Sequence, residues 1–294
     1  MRFGPYYFTT SNEDKILFPK NKITKGELIE YYEKIGPIMV PFMKDRPISM
    51  VRYPNGIKEK GFFQKDAGSH FPDWITTIQI EREGVLKDTK YVIVNNVATL
   101  VYLANQACIT PHLWLSKIDK INYPDRLIFD LDPSIDNFAQ VQKGAMLLKK
   151  ELDKLDIPNF VMTTGSRGLH IVTPLKRIHT FEWVRSFALD IANILIEKNP
   201  SLFTVEIRKN KRGKKIFIDT LRNAFAQTAV APYAVRPKPG APVATPLEWE
   251  EITKNLRPNQ YTIKNIFQRS ISFIKISYTH NFIKNFGYNL YYNQ

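Results

Sequence analysis

The chain has 294 residues, which is enough for one large or two small domains with cores of their own, and this length excludes mini-proteins that depend on disulfides or metals. Apolar residues make up 44% and charged residues 24% of the chain, a composition that excludes a wholly disordered protein. The excess of Lys and Arg gives a formal net charge of +14, which attracts polyanions such as nucleic acids or phosphorylated ligands. A soluble basic protein without such a partner can carry the same charge, so the charge alone does not establish that the protein binds a polyanion.

Cysteine content and hydropathy bear on the compartment. The single cysteine, Cys108, excludes an intrachain disulfide and a cysteine-based zinc site, and it suits a reducing environment. The N-terminal residues lack the apolar stretch of a signal peptide, and the most apolar long segment, which starts at Val92, is interrupted by Asn and Gln. We expect a cytoplasmic protein with no membrane partner.

The first third of the chain mixes short elements. A helix is predicted over residues 25–35, with Thr24 as its N-cap and Gly36-Pro37 as its end. The predicted elements that follow are a turn at 52–56, a strand at 61–65, a hairpin of strands 76–83 and 90–94 about a turn at Gly84, and a buried helix at 95–109.

The middle of the chain alternates strands and helices without a regular parallel series, which favours an α+β fold. The predicted elements are a strand at 126–130, a helix from Asp132 to about Leu155, strands at 160–164 and 169–175, a helix at 181–198, and a hairpin of 203–208 with 215–219. Residues 231–246 are rich in proline and predict an extended wrap, or a linker to a last helix beginning near Thr245.

Paired acids carry the sharpest chemical signal. Asp130 and Asp132 end an apolar strand two residues apart, so both side chains point to the same side of it. Asp219 ends another strand in the same way. Three carboxylates at strand ends are suited to two Mg²⁺ or Mn²⁺ ions and to phosphoryl transfer. Alternatively, Asp132 caps a helix with Pro133 at its first position, and Asp130 is a turn residue.

The loop between the next two strands, 164–170, is a second candidate site. Its two glycines allow backbone N–H groups to point inward, and Ser166, Arg167 and His170 supply side-chain donors for phosphate oxygens. Such a loop fits a triphosphate, although an ordinary turn between two strands has the same composition.

Two softer signals concern nucleic acid. Phe62 and Phe63 stand beside Lys65, a combination that can stack on a base and bind a phosphate, but one core and one surface Phe is the commoner arrangement. Six of the eight residues from Arg208 to Lys215 are basic, which fits a nucleic-acid contact and a solvated hairpin tip equally well.

Several ordered sequence blocks closely resemble the polymerase domain of bacterial DNA ligase D, a branch of the archaeo-eukaryotic primase superfamily used in non-homologous end joining. The blocks with the sharpest resemblance are RLIFDLDPS, TTGSRGLH and the segment from FIDTLRN to PLEWEE; NEDKILFP, TKGELIEYY, RYPNG, GFFQK and ITPHLW support it. The resemblance covers about residues 5–265. It implies a primase-polymerase fold of mixed sheets, with an RRM-like catalytic module flanked by helices.

The same resemblance implies a domain plan. Residues 1–265 form the catalytic domain, with an N-terminal module at about 1–110 and a catalytic module at about 111–250. Residues 266–294 are a C-terminal tail that resembles nothing in the family.

The resemblance also implies roles for individual residues. The metal-binding acids match Asp130, Asp132 and Asp219. The remaining matches are as follows: for nucleotide binding Arg52, His112, Ser166, Arg167, His170 and Arg236; for the DNA 5′-phosphate Lys15 and Lys25; and for the template base Phe62 and Phe63. Three positions depart from the family pattern: Arg167 and Val51 stand where Lys is usual, and Asp66 stands where His is usual.

The activity implied is template-directed nucleotidyl transfer, in which a primer 3′-hydroxyl attacks the α-phosphorus of an NTP or dNTP and pyrophosphate leaves. Asp130 and Asp132 would bridge two Mn²⁺ or Mg²⁺ ions, and Asp219 would complete the ion that activates the hydroxyl. The resemblance implies a preference for ribonucleotides and gap filling at 5′-phosphorylated gaps and broken ends. It further implies Ku and a separate ATP-dependent DNA ligase as partners, and association with the nucleoid.

Two other interpretations stay open at this point. The motif LIFDLDPS also resembles the opening strand of haloacid-dehalogenase phosphatases, in which the first Asp is the nucleophile, but it lies centrally and no later Asp pair completes the site. A non-catalytic nucleic-acid-binding module would account for the charge and the aromatic residues alone.

Overall fold

The structure is a computed structural model that describes residues 1–81 and 88–269. Four α-helices lie in these ranges: α1 Lys25–Met43, α2 Val97–Asn105, α3 Phe138–Lys154 and α4 Phe181–Lys198. Short 3₁₀ helices cover Pro19–Asn21, Ile118–Lys120, Lys209–Lys211, Leu221–Asn223, Trp249–Glu251 and Ile266–Gln268. The predicted turn at Gly84 and nearly all of the predicted tail lie outside the described residues.

The strands in the described ranges alternate with these helices. In chain order they are β1 Arg2–Phe3, β2 Tyr6–Tyr7, β3 Ile16–Phe18, β4 Ile23–Thr24, β5 Pro47–Arg52, β6 Phe62–Gln64, β7 Thr77–Ile80, β8 Thr89–Ile93, β9 Cys108–Trp114, β10 Arg126–Pro133, β11 Phe160–Thr163, β12 Leu169–Pro174, β13 Phe203–Thr204, β14 Ile216–Asp219, β15 Thr228–Val230 and β16 Pro246–Leu247. Two six-stranded sheets dominate, and the α+β prediction is confirmed.

One sheet, here called sheet II, has the order β13-β14-β10-β12-β11-β16. Its central four strands and two helices follow one another as β10-α3-β11-β12-α4-β14, and every pairing among those four strands is antiparallel. This is the βαββαβ arrangement with the outer strand β14 beside the first strand β10, as in ferredoxin-like folds. The RRM-like module is therefore present.

The other sheet, sheet I, has the order β15-β9-β5-β8-β7, with β6 also paired to β5. Helices α1 and α2 pack on it around one core cluster, whereas α3 and α4 pack on sheet II around a second. Side chains from sheet II, among them Ile128, Met162 and Val172, belong to the first cluster. The two sheets therefore face each other, and strand β15 is supplied to sheet I from a late part of the chain.

Helix α1 is longer than predicted. Thr24 caps it in a capping box with Glu27, as expected, but Gly36-Pro37 lies inside the helix, which runs on to Met43. A Cβ on Gly36 would lie 2.7 Å from a methyl group of Val97, at the start of α2. Gly36 is therefore present because the two helices approach closely there, and not because α1 ends.

Two further helix predictions were wrong in extent. Helix α2 ends at Asn105 because Ala107 adopts a positive φ of 56°, after which Cys108 begins β9. Helix α3 begins at Phe138, capped by Asn137, because β10 continues through Pro133 in register with β14. Asp132 is thus a strand residue, and the helix-cap alternative for it is excluded.

Two predicted connections were also wrong. Residues 203–204 and 216–219 do not form a hairpin, because β13 pairs with β14 in parallel. No long helix follows Thr245 in the described part of the chain, since the backbones of Thr245 and Thr163 exchange hydrogen bonds and β16 adds to the edge of sheet II. The predicted extended wrap at 231–246 was also wrong: the segment folds back on itself, with an antiparallel bridge between Val235 and Val243 and a hydrogen bond from the Arg236 N–H to the Pro242 carbonyl. None of the helices described is long and apolar enough to cross a membrane.

Candidate active site between the two sheets

Side chains alternate in direction along β10, and this alternation determines where its two acids point. Leu127, Phe129 and Leu131 have no solvent exposure and pack into the core beneath α3 and α4. Asp130 and Asp132 alternate with them and point to the opposite face, toward sheet I. The prediction that both carboxylates share one side of the strand is confirmed.

Neighbouring strands add two predicted residues to this face. In the antiparallel register Asp130 lies opposite Asp219 of β14 on one side and His170 of β12 on the other. The His170 Nε2 atom lies 3.4 Å from Asp130 Oδ1. Residues about 90 and 40 positions away from Asp130 in the chain are therefore brought together by pairing to a single central strand.

Arg222 also lies beside these acids and was not predicted from the sequence. Its Nε atom lies 3.5 Å from Asp130 Oδ2 and 3.4 Å from Asp219 Oδ2. It belongs to the 3₁₀ helix that follows β14, so its position three residues after a strand-ending acid is the signal that could have identified it.

The charges around the acids shift their pKa values in different directions. Burial raises the pKa of Asp130, but His170 and Arg222 outweigh burial and hold it below the ordinary value. Burial, and then the charge of Asp130, raises the pKa of Asp132. Burial also raises the pKa of Asp219, despite the opposing charge of Arg222. The site thus holds like charges close together, which a bound cation would relieve.

The donor set fits a hard divalent cation. Mg²⁺ and Mn²⁺ prefer carboxylate oxygens, and Asp130 Oδ1 is buried without a hydrogen-bond partner. Among the described residues, no three His, Cys, Asp or Glu side chains already converge as a metal cluster. Arg222 lies between Asp130 and Asp219 instead.

The loop after β11 is tightly fitted to the end of β10. Thr164 and Gly168 close it, through a 3.1 Å hydrogen bond from the Thr164 N–H to the Gly168 carbonyl. Gly165 has a φ of +64°, and a Cβ there would lie 2.8 Å from Arg236 Cγ. A Cβ on Gly168 would lie 2.2 Å from the Leu131 carbonyl oxygen. The two glycines are therefore required by a positive φ and by close backbone approach, respectively.

A cavity of about 210 Å³ opens over the acids and this loop. It is lined by His112, Asp130, Asp132, Thr164, Ser166, Arg167, His170, Arg222, Arg236 and residues 228–230. Seven of the sequence-predicted residues thus meet in one space, contributed by both sheets. Asp219 lies at its edge, beside Asp130 and Arg222.

Arg236 and His112 line the same cavity, and the Arg236 side chain packs against Gly165 of the loop. The Arg236 Nε atom is buried and has no hydrogen-bond partner among the described residues, and burial lowers the pKa of its guanidinium. Burial, together with the charges of Arg236 and Arg222, holds the pKa of His112 well below its usual range, so its imidazole is neutral at neutral pH. An unpaired guanidinium N–H facing a cavity is suited to an anionic ligand.

Arg52 does not line this cavity. Its guanidinium donates to the Gln106 backbone carbonyl and to the Gln64 side chain, and it lies over the Phe62 ring at 5.6 Å. These contacts hold β6 against the turn that follows α2. The nucleotide-binding role predicted for Arg52 stays a prediction, and the structure gives its side chain other partners.

The two predicted template residues stand at the mouth of the site. Phe62 is 46% and Phe63 is 62% exposed. The Phe63 ring meets the His112 ring edge-on, with centroids 5.6 Å apart. An exposed aromatic surface therefore continues directly from the cavity wall.

Lys15 and Lys25 are brought together at the N-terminus of α1. The Lys25 N–H donates to the Lys15 carbonyl, and the side chains of Lys25 and Lys15 donate to Ser11 and Asn55, respectively. Lys25 is 5% exposed, and burial lowers its pKa although Glu13 opposes this. Two cations at a helix N-terminus form a surface suited to a phosphate.

The basic turn at 208–215 contains one buried cation, and its other cations are more exposed. Arg212 is buried, donates to the carbonyls of Glu206 and Ile207, and stacks on Phe217 at 3.6 Å. The other cations are exposed or half-buried and are Arg208, Lys209, Lys211, Lys214 and Lys215. Arg212 therefore anchors a positively charged loop beside the strand that carries Asp219.

Comparison with known proteins identifies the family. The model of the LigD primase-polymerase domain matches residues 24–273. The chain belongs to this family. Its members are metal-dependent nucleotidyltransferases, so the chain's three strand-end acids stand in a family that uses metal ions.

The chain is 32% identical over 258 residues to the bifunctional non-homologous end joining protein LigD of Bacillus subtilis, covering 87% of this chain and 41% of that protein. It is 33% identical over 245 residues to the multifunctional LigD of Mycolicibacterium smegmatis, covering 82% and 32%, respectively. The chain thus spans less than half the length of these relatives.

Among solved structures, the polymerase domain from Mycobacterium tuberculosis ligase D in complex with DNA superimposes with a TM-score of 0.84 at 27% identity. The match covers 92% of this chain and 98% of that domain. The predicted primase-polymerase fold is confirmed. The phosphatase alternative is not favoured, because β10 lies between antiparallel strands and not in the parallel sheet of that superfamily.

Proposed function

We propose that the protein is an end-joining polymerase that adds ribo- or deoxyribonucleotides to a primer 3′-hydroxyl at gaps and broken ends, as directed by a template. The observation that carries this proposal is that one cavity is lined both by Asp130 and Asp132 and by Ser166, Arg167, His170 and Arg236, whose side chains are suited to phosphate oxygens. Membership of the LigD primase-polymerase family and the DNA-bound structural relative support it.

Within this proposal, the triphosphate lies in the cavity beside the 164–168 loop and the Arg236 side chain that packs against this loop. Ser166 and Arg167 from the loop, with His170, donate to phosphate oxygens. Arg236, which packs against Gly165 of the same loop, donates through its unpartnered Nε–H. Neutral His112 offers a ring nitrogen to the sugar, beside the exposed Phe63.

Asp130, Asp132 and Asp219 would hold the metal ions, which we propose to be two Mn²⁺ or Mg²⁺. Bound there, they would lower the pKa of the primer hydroxyl and neutralise charge on the departing pyrophosphate. The protein's own part is to fix the carboxylates. Asp219 Oδ1 accepts a hydrogen bond from the Leu221 N–H at 2.9 Å, and β10 is held on both sides by antiparallel pairing.

DNA would extend from the cavity across sheet I. We propose that Phe62 and Phe63 stack beside the template base and that Lys15 and Lys25 bind the 5′-phosphate at the far side of a gap. Ku and a separate ATP-dependent DNA ligase are proposed as partners at broken ends, and association with the nucleoid would follow from the DNA substrate.

A primer-extension assay tests the proposal. Wild-type protein, a labelled primer and a one-nucleotide gap are combined in turn with each template base, with rNTP or dNTP, and with Mg²⁺ or Mn²⁺. We expect extension by the nucleotide complementary to the template, with release of pyrophosphate and with rNTP and Mn²⁺ favoured. Hydrolysis of a simple phosphoester without extension would instead support a phosphatase, and binding without turnover a non-catalytic module.

Lys25 provides a prediction for the DNA end. Lys25→Met keeps the buried stem but removes the charge, so we expect roughly tenfold weaker binding to a 5′-phosphorylated gap and little change for a 5′-hydroxyl gap. Fluorescence anisotropy with the two DNAs measures the difference. Lys34→Met, which removes an exposed charge from the same helix, is the matched control. Equal loss on both DNAs would contradict the phosphate pocket.

A further inference from the structure

Arg222 lies beside one carboxylate oxygen of each of two acids, Asp130 and Asp219. Asp219 uses Oδ1 for the Leu221 N–H, which leaves Oδ2 for another partner. Asp130 Oδ1 faces His170, which leaves Oδ2. These two remaining oxygens, one from each acid, are the ones that lie 3.4–3.5 Å from Arg222 Nε.

The backbone of Arg222 is fixed, whereas its side chain is not enclosed. Asn223, the next residue, donates to the Ile128 carbonyl and accepts from the Ile128 N–H, both at 2.8 Å, so the 3₁₀ helix is tied to β10. The Arg222 side chain itself is 39% exposed and lines the cavity. The guanidinium can therefore leave the acids without any change in the fold.

The surroundings of Arg222 explain why a cation is needed there. Asp130, Asp132 and Asp219 lie on neighbouring strand positions, and three carboxylates this close destabilise one another when ionised. His170 and Arg236 are the other cationic or titratable groups near Asp130. Of these, Arg222 alone is placed between Asp130 and Asp219.

We propose that Arg222 is a tethered counter-ion that occupies the acid pair in the metal-free protein and is displaced when a divalent ion binds. This inference rests on the proposed metal site and deepens it. Arg222 is thus a positioning residue that lowers the intrinsic affinity for metal and stabilises the empty site. Once displaced, its guanidinium turns into the cavity.

Metal binding without DNA or nucleotide tests this directly. We expect Arg222→Gln to bind Mn²⁺ about tenfold more tightly than wild type, because a competing positive charge is removed, with partial exposure limiting the effect. Electron paramagnetic resonance of free Mn²⁺ measures the affinity. Arg222→Lys, which keeps the charge, should bind within a few-fold of wild type.

Thermal melting supplies a second readout. Metal-free Arg222→Gln should melt below wild type, and the difference should shrink as Mn²⁺ is added. The matched control is Arg177→Gln, which breaks an exposed arginine–carboxylate pair with Asp119 far from the cavity and should not change Mn²⁺ affinity. A purely structural Arg222 would lower the melting temperature without tightening metal binding.

The outcomes separate the two proposals. If wild type binds Mn²⁺ and Asp130→Asn abolishes binding, but Arg222→Gln leaves the affinity unchanged or weaker, the counter-ion proposal is wrong and the metal site stands. If wild type does not bind Mn²⁺, or binds it equally well with Asp130→Asn, the metal site itself is wrong and Arg222 has no such role.

Discussion

Asp132→Asn should reduce templated primer extension by at least about a thousandfold, because the substitution removes a charged oxygen donor from the metal site and the attack then lacks charge stabilisation. Gel-based single-turnover extension on gapped DNA measures the loss. Asp132 is half-buried and lies near the C-terminal end of β10, so the variant should remain folded. DNA affinity, measured by anisotropy, should stay within about twofold of wild type, since Asp132 lies apart from Lys15 and Lys25, the proposed phosphate-binding lysines.

The melting temperature of Asp132→Asn provides a second test of the same assignment. Because burial and the Asp130 charge raise the pKa of Asp132, ionising this carboxyl costs more free energy in the folded than in the unfolded protein. Removing the charge should therefore raise the melting temperature of the metal-free protein while activity is lost. Asp136→Asn, an exposed acid in the loop before α3, is the matched control and should change neither quantity. Activity of Asp132→Asn within tenfold of wild type would contradict the assignment.

Gly168→Ala should destabilise the protein by about 2–4 kcal/mol, because the new methyl group meets a backbone atom that cannot rotate away. Its Cβ would lie 2.2 Å from the Leu131 carbonyl oxygen and 3.3 Å from Asp132 Oδ1. Relief requires β12 to move away from β10 where Leu169 pairs with Leu131. Both the loop and the acids would shift, so extension activity should fall together with the free energy of unfolding.

Urea denaturation measures this effect, and Gly213→Ala is its control. Gly213 has a positive φ of 58°, but a Cβ added there would meet no atom within 4 Å, so Ala should cost only about 1 kcal/mol of backbone strain. A Gly168→Ala variant no less stable than Gly213→Ala would show that the loop is not packed against β10 as described.

The face of β10 that carries Asp130 and Asp132 was predictable because it depends on local rules. A strand with apolar residues at 127, 129 and 131 must point 130 and 132 the other way, whatever the rest of the fold does. Thr24 likewise caps α1 through contacts within four residues. These features need only the chain's immediate neighbourhood.

The missed features depend on distant partners. Gly36 and Pro37 look like a helix end until α2 is known to pack against Gly36 through Val97. The parallel pairing of β13 with β14 is decided by how α4 returns the chain to sheet II. Arg222 lies beside both acids only because the antiparallel register places Asp219 opposite Asp130. The spacing of these residues in the sequence does not reveal that pairing.

We expect the cavity between the two sheets to bind metal and nucleotide together. Anomalous diffraction from crystals grown with Mn²⁺ and a non-hydrolysable nucleoside triphosphate tests this most directly. We expect an anomalous peak at Asp130, Asp132 and Asp219, with the triphosphate against Ser166, Arg167, His170 and Arg236. Manganese bound elsewhere, with the nucleotide absent from this cavity, would contradict it.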